Sequence, residues 1–115
     1  MVRLRPGLGT VSMRGRIEGD SAHYVVDQLP WLFDANKSEV YWDLSAITSY
    51  SAAVPPIMVN GMIKHRALIG RFHMFTTMAL LKATIIGSNL TLGSNMVHYG
   101  EQAPFEAALA AALRG

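Results

Sequence analysis

One stretch near the middle of the chain concentrates side chains that can accept or donate hydrogen bonds: Asp43, Ser45, Thr48, Ser49, Tyr50 and Ser51. Asp43 lies in an otherwise apolar run at 40–44, which is typical of a central strand. A carboxylate near the carboxyl end of such a strand lies where open α/β sheets bind ligands. Alternatively, Asp43 is structural and accepts hydrogen bonds from the backbone of the loop that follows. These six residues are the candidate partner-binding loop.

Ser51 is the one candidate nucleophile in this stretch. Nucleophilic catalysis would require a strained strand-to-helix turn such as Gly-x-Ser-x-Gly, and the sequence contains none. Ser51 is instead predicted to cap the second helix, so Ser51→Ala should cost about 1 kcal/mol of stability. We therefore assign no catalytic residue, and an enzyme that uses Asp43 and Ser51 ranks third, after the two hypotheses given below.

Neither a metal nor a cofactor is predicted. The histidines never show the His-x-x-x-His spacing of a helical zinc site; they stand at His23, His65, His73 and His98. The glycines at 7, 9 and 15 do not form a phosphate-binding loop, because no Gly-Lys-Ser/Thr follows. The chain has no cysteine, which excludes disulfides and thiol chemistry.

Composition narrows the class of protein. Half of the 115 residues (50%) are hydrophobic and only 16% are charged, with a net charge of +2. This favours one folded domain over residues 1–115 with apolar surface to spare, and hence a homodimer.

The basic residues form no stripe interleaved with aromatics, so nucleic acid is not a predicted partner. No run approaches the roughly 20 apolar residues that span a bilayer, and Arg3, Arg5 and Pro6 interrupt any signal peptide. A cytoplasmic protein is expected.

Hydrophobic periodicity predicts the order β-β-α-β-α-β-α-β-α. The predicted strands are 2–5, 11–18, 40–44, 72–75 and 96–99, and the helices begin near Ala22, Pro55, Met78 and Pro104. Asp20 or Ser21 is expected to cap the first helix, and Pro30 is expected to shorten it. The third helix is expected to be capped by Thr76 or Thr77 and to end at Gly87 or Gly93. Alternating strands and helices predict an α/β fold with a four- to five-stranded, mostly parallel sheet. The run at 40–44 should be internal and strand 2–5 should lie at an edge.

A second group of residues is apolar. Seven methionines are many for this length, and methionine adapts to irregular apolar partners. The residues that could line an apolar pocket or a dimer interface are Trp31, Met58, Met62 and Met78. Loose filling of the core is an equally good explanation.

At this point the sequence resembles the STAS domains of anti-sigma-factor antagonists and their SpoIIAA-like relatives. The resemblance is carried by Gly15-Arg16-Ile17 before the first helix, by the run Val40–Ser45 that ends in Asp-Leu-Ser, and by Tyr50-Ser51 before the second helix. The last strand and the Ala-rich closing helix also match. The resemblance implies a STAS/SpoIIAA-like fold and a contact surface formed by residues 45–53 and the exposed side of the second helix.

One position departs from the phosphorylation-switched members of that family. The resemblance places their acceptor serine at position 52, where this chain has Ala52. Alanine cannot carry the charge by which a phosphate acts as a switch. We therefore expect no phosphorylation switch at this position, and any regulation should come from expression level or from a ligand.

Two hypotheses follow. The first is a non-enzymatic, regulatory, protein-binding module in bacteria. The second is a small apolar-ligand or lipid-binding domain with its pocket between the helices and the sheet.

Overall fold

The computed structural model describes residues 2–5, 7–32, 38–65, 69–79, 81–83 and 96–115. The strands are β1 (Val2–Arg5), β2 (Leu8–Ile17), β3 (Ser38–Tyr50), β4 (Ile69–Phe75) and β5 (Met96–Tyr99). The helices are α1 (Gly19–Gln28), continued by a 3₁₀ turn (Leu29–Leu32), α2 (Val54–Lys64) and α3 (Gln102–Arg114). Residues 81–83, between β4 and β5, are also helical. The predicted order of elements is confirmed.

The strands form one five-stranded sheet in the order β1-β2-β3-β4-β5. β1 is antiparallel to β2, and every other pair is parallel. The predicted α/β class and mostly parallel sheet are therefore confirmed. The run Val40–Leu44 lies on the central strand, as its two-sided apolar character requires, and β1 with its alternating arginines lies at an edge.

The two faces of the sheet are covered by different helices. Val40, Trp42 and Leu44 point to the face on which α1 and α2 pack, and their side chains belong to the larger core. Tyr41 points to the opposite face, because successive side chains of a strand alternate. There it packs with Leu8, Phe75 and Phe105 of α3 in a smaller core. Among the described helices, α3 packs on the smaller core, whereas α1, α2 and the helical residues 81–83, through Leu81, pack on the larger one.

The predicted loop at 45–51 is wrong for most of its length, because β3 continues to Tyr50. The last pair between β3 and β4 is Asp43–Phe75, but β2 continues to pair with β3 as far as Ile17–Tyr50. The ten-residue β2 thus supplies backbone hydrogen-bond partners for residues 45–50, whose polar sequence does not by itself predict a strand. Its ladder with β3 is irregular near Gly15, which has a φ of +73° that glycine tolerates without strain.

Helix ends agree in part with expectation. α1 begins at Gly19, and its N-cap Glu18 makes no side-chain capping bond, so capping by Asp20 or Ser21 is wrong. α1 does end before Pro30, as predicted. The hydroxyl of Thr76 accepts a hydrogen bond from the Met78 N–H at 3.1 Å, as predicted for a cap. Where the third predicted helix ends lies outside the described residues. No helix in the described part of the chain is long and apolar enough to cross a membrane.

Candidate functional site

The candidate loop residues form two separate groups along β3. Asp43 and Ser45 lie beside the end of β4, whereas Thr48, Ser49, Tyr50 and Ser51 lie at the far end of the strand. A strand advances about 3.3 Å per residue, which puts Asp43 and Ser51 roughly 20 Å apart or more. The structure therefore does not bring this pair together, and the alternative of an enzyme that uses both residues is not supported.

Asp43 has the structural role considered for it. Its Oδ1 atom accepts hydrogen bonds from the Ser45 backbone N–H at 2.9 Å and from the Ser45 hydroxyl at 2.5 Å. Both bonds close a local turn at a point where the register between β2 and β3 shifts. The carboxylate thus holds the irregular segment of β3 in place.

Ser49 is held from the neighbouring strand. Arg16 donates a hydrogen bond from Nη1 to the Ser49 hydroxyl at 3.2 Å, and its Nε lies 2.6 Å from a carboxylate oxygen of Glu18. Because Arg16 and Glu18 are both more than half exposed, this ion pair contributes little to stability. It keeps the guanidinium beside β3 in an ordered position.

Ser51 does not cap α2 through its side chain, so that prediction is wrong. The N-cap residue is Ala53, with no side-chain capping bond. Ser51 contributes through its backbone instead: its N–H donates to the Ile17 carbonyl and its carbonyl accepts from the Val54 N–H, both at 3.0 Å. Substitution by alanine keeps both bonds, which removes the reason for the predicted loss of about 1 kcal/mol.

The three methionines of the apolar set belong to the core or pack against it. Met58 and Met62 lie on the buried side of α2, and Met78 packs against the same core. The space between α2 and the sheet amounts to about 10 Å³, roughly the room that one water needs. The side chain of Trp31 lies outside the described part of the structure.

The most connected polar cluster, which the sequence did not reveal, lies on the other face of the sheet under α3. The ring of His73, only 4% exposed, is bonded at both nitrogens: Nδ1 lies 2.9 Å from the Tyr99 hydroxyl and Nε2 lies 2.9 Å from Glu39. The Tyr41 ring stacks on it at 3.9 Å. These residues come from three neighbouring strands, so their sequence spacing carries no recognisable motif.

Protonation of this cluster follows from its burial. Burial lowers the pKa of His73, although the hydrogen bond and charge of Glu39 act in the opposite direction. Burial raises the pKa of Tyr41 to about 12, and it also raises the pKa of Tyr99. At neutral pH the ring is therefore uncharged: Nε2–H donates to Glu39, and the Tyr99 hydroxyl donates to Nδ1.

An open groove of about 240 Å³ runs between α3 and the strands β2 and β3. Its polar lining comes from Thr10, Ser12, Asp43, Gln102 and Glu106. Glu106 is already bonded to the Gln102 side chain at 2.7 Å. Among the described residues, no three histidine, aspartate or glutamate side chains lie close enough together to hold a metal ion.

Comparison of the fold with solved structures gives one relevant neighbour. An uncharacterized protein of the DUF3478 family from Shewanella loihica PV-4, described as having a SpoIIAA-like fold, superimposes with a TM-score of 0.64. The match covers 87% of this chain and 82% of that chain at 10% sequence identity. This chain has a SpoIIAA-like fold. No family model matches the sequence, and no curated protein does.

Within this SpoIIAA-like fold, the position that the resemblance assigns to a phosphorylated serine is well defined. Ala52 lies exposed in the turn between β3 and α2. It is accessible, but it offers no hydroxyl. Two serines lie close to this position in the chain: Ser51 is half-buried, and the Ser49 hydroxyl accepts a hydrogen bond from Arg16.

Proposed function

We propose that this SpoIIAA-like domain is a non-enzymatic regulatory module that binds another protein through residues 45–53, named here the strand-end surface, and the exposed side of α2. The observation that carries the proposal is the projection of β3 past β4, from Leu44 to Tyr50. This projection and the turn after it present accessible side chains, among them Ser45, Ala46, Thr48, Ala52 and Ala53.

The hydrogen bonds between polar side chains on the strand-end surface and those beside it support binding rather than catalysis. Asp43 is engaged with Ser45, and Arg16 is shared between Glu18 and Ser49. A catalytic acid or base needs a free path to a reacting group within hydrogen-bond reach. Side chains that hold one another in place instead provide an ordered surface of hydrogen-bonding groups for a partner.

The alternative of an apolar-ligand pocket finds less support. Drug-sized ligands occupy pockets of roughly 300 Å³ or more, whereas the space beside Met58 and Met62 is about 10 Å³. The larger groove beside α3, about 240 Å³, is open and partly lined by polar side chains, so in the described part of the chain it does not provide an enclosed apolar pocket.

A photo-crosslinking experiment tests the proposal. With p-benzoylphenylalanine in place of Thr48 or Ala52, irradiation in the cells that produce the protein should give one specific adduct with a second protein. The matched control places the probe at Tyr24, which is exposed on α1, and should not give that adduct. If the adduct forms equally from Tyr24, or from none of the positions, the strand-end surface is not the binding site.

We also propose that the domain forms a twofold dimer through the edge of the sheet at β1. Val2 and Leu4 are exposed there, and Leu113 is exposed near the end of α3. Val2 pairs with Thr10, which lines the groove beside α3. Since directly paired residues share a face of a sheet, Val2 lies on the same face as α3. Exposed apolar groups on one face favour self-association.

Sedimentation velocity at micromolar concentration should therefore give a dimer, and Val2→Glu should give a monomer. Tyr24→Glu, which changes an exposed aromatic side chain on α1, should leave the dimer intact. A wild-type monomer at every concentration would rule out this interface.

A further inference from the structure

The C-terminal helix α3 rests on a small set of aromatic rings. Phe105 contacts Tyr41, Phe75 and Tyr99, with ring centroids 5.9, 5.3 and 5.5 Å away. The Tyr41 hydroxyl also donates a hydrogen bond to the Ala108 carbonyl of α3 at 3.2 Å. Tyr41, Phe75 and Tyr99 are therefore the rings on which α3 packs, and they are named here the seat of α3.

His73 lies beneath that seat and touches two of its members. Its ring stacks on Tyr41 and is bonded to the hydroxyl of Tyr99. The third neighbour is Glu39, whose side chain is 38% exposed and whose Oε1 atom is 2.9 Å from Nε2. Two of the rings that hold α3 are therefore in direct contact with one buried imidazole.

We propose that His73 makes the docking of α3 sensitive to acid, so that protonation of the imidazole loosens this helix while the opposite face of the sheet stays packed. A second proton on Nδ1 removes the acceptor of the Tyr99 hydroxyl, which must turn its own hydrogen away. The second proton also places a positive charge beneath the apolar side of α3. This inference is independent of the proposed protein-binding function.

The described ionisable groups that face the imidazole come from its own strand and from the two strands beside it. Glu39 and Tyr41 face it from β3, Arg71 lies on its own strand β4, and Tyr99 faces it from β5. From α3, the residues packed on this cluster are Phe105, Ala108, Leu109 and Ala112, none of which is ionisable. The attraction of Glu39 opposes the burial of the charge but does not cancel it, because the pKa of His73 remains lowered.

The sign of the pH dependence follows. A histidine whose pKa is lower when the helix is docked than when it is free stabilises docking fully above the ordinary pKa of 6.5. That contribution is lost as the pH falls below 6.5 toward the lowered value. The helix should therefore be best docked above about pH 7 and should open more often in mild acid.

Hydrogen exchange of the full chain tests the proposal. After correction for intrinsic rates, protection of the α3 amides should fall at least threefold between pH 7.5 and pH 5.0, relative to amides of β3. In His73→Gln, which keeps a donor and an acceptor but cannot be protonated, that difference should disappear. His65→Gln is the matched control: burial lowers the pKa of His65 as well, but His65 follows α2 on the other face, and this variant should behave as wild type.

A second variant keeps the test decisive if His73→Gln does not fold. Glu39→Gln removes the carboxylate bonded to the imidazole at a partly exposed position, so the response of α3 to acid should become larger than in wild type. The proposal is overturned if α3 protection follows the same pH course in wild type and His73→Gln, or if Glu39→Gln leaves that course unchanged.

Discussion

Replacing Trp42 with alanine is expected to lower the free energy of unfolding by about 3–5 kcal/mol, the range typical of large aromatic truncations in cores. Trp42 has no exposed surface and lies on the central strand between β2 and β4. Its ring packs near Phe72, with centroids 6.5 Å apart, and its Nε1–H donates to the sulfur of Met13 at 3.2 Å. Since small domains are stable by only about 5–15 kcal/mol, this loss would remove a large share of the total stability.

Urea denaturation followed by circular dichroism measures this loss without depending on tryptophan fluorescence. Trp42→Phe is the matched control, because it keeps most of the apolar volume and should cost clearly less. Met13→Leu removes the sulfur acceptor but keeps most of the apolar volume, so it should also cost less than Trp42→Ala. A Trp42→Ala protein within 1 kcal/mol of wild type would contradict the placement of β3 at the centre of the core.

Replacing Gly61 with alanine is expected to destabilise the protein by about 1–3 kcal/mol, as overpacking of a core usually does. A Cβ atom at Gly61 would lie 2.5 Å from the Cβ and 2.6 Å from the Cγ1 of Val26. Val26 lies on α1 and Gly61 on α2, so the helices would have to separate locally. The expected loss already includes a gain in helix stability of about 1 kcal/mol, because alanine favours the helix more than glycine does.

The Val26→Gly background separates crowding from other causes. Val26→Ala would not serve, because alanine retains the Cβ that collides. In Val26→Gly the same Gly61→Ala change should be neutral or stabilising, which a double-mutant cycle reports as a coupling energy. Gly100→Ala, where the added Cβ would lie 3.8 Å from the Cε1 atom of His98, should be tolerated. Equal losses in both backgrounds would show that Gly61 is not needed for helix contact.

The sequence by itself determined the elements whose cause is local. The alternation of Val2 and Leu4 with arginines, the two-sided apolar run at 40–44 and the proline-led start of α2 are set by neighbours in the chain. Local sterics and burial preferences act over a few residues, and they are sufficient to predict the order of elements, the central strand and the edge strand. The alternation of strands and helices then restricts the sheet to a mostly parallel one.

The length of β3 and the polar cluster beneath α3 were decided by the tertiary structure. Residues 45–50 carry no strong strand signal, but β2 offers them backbone partners, and an unpaired backbone group is costly once buried. His73 meets Glu39 and Tyr99 only because the register of three strands aligns residues that are 34 and 26 positions apart. Val26 and Gly61 likewise meet only when two helices cross. Such contacts depend on long-range pairing that no local pattern encodes, so the candidate surface at β3 was predicted in part while the acid-sensitive seat of α3 was not.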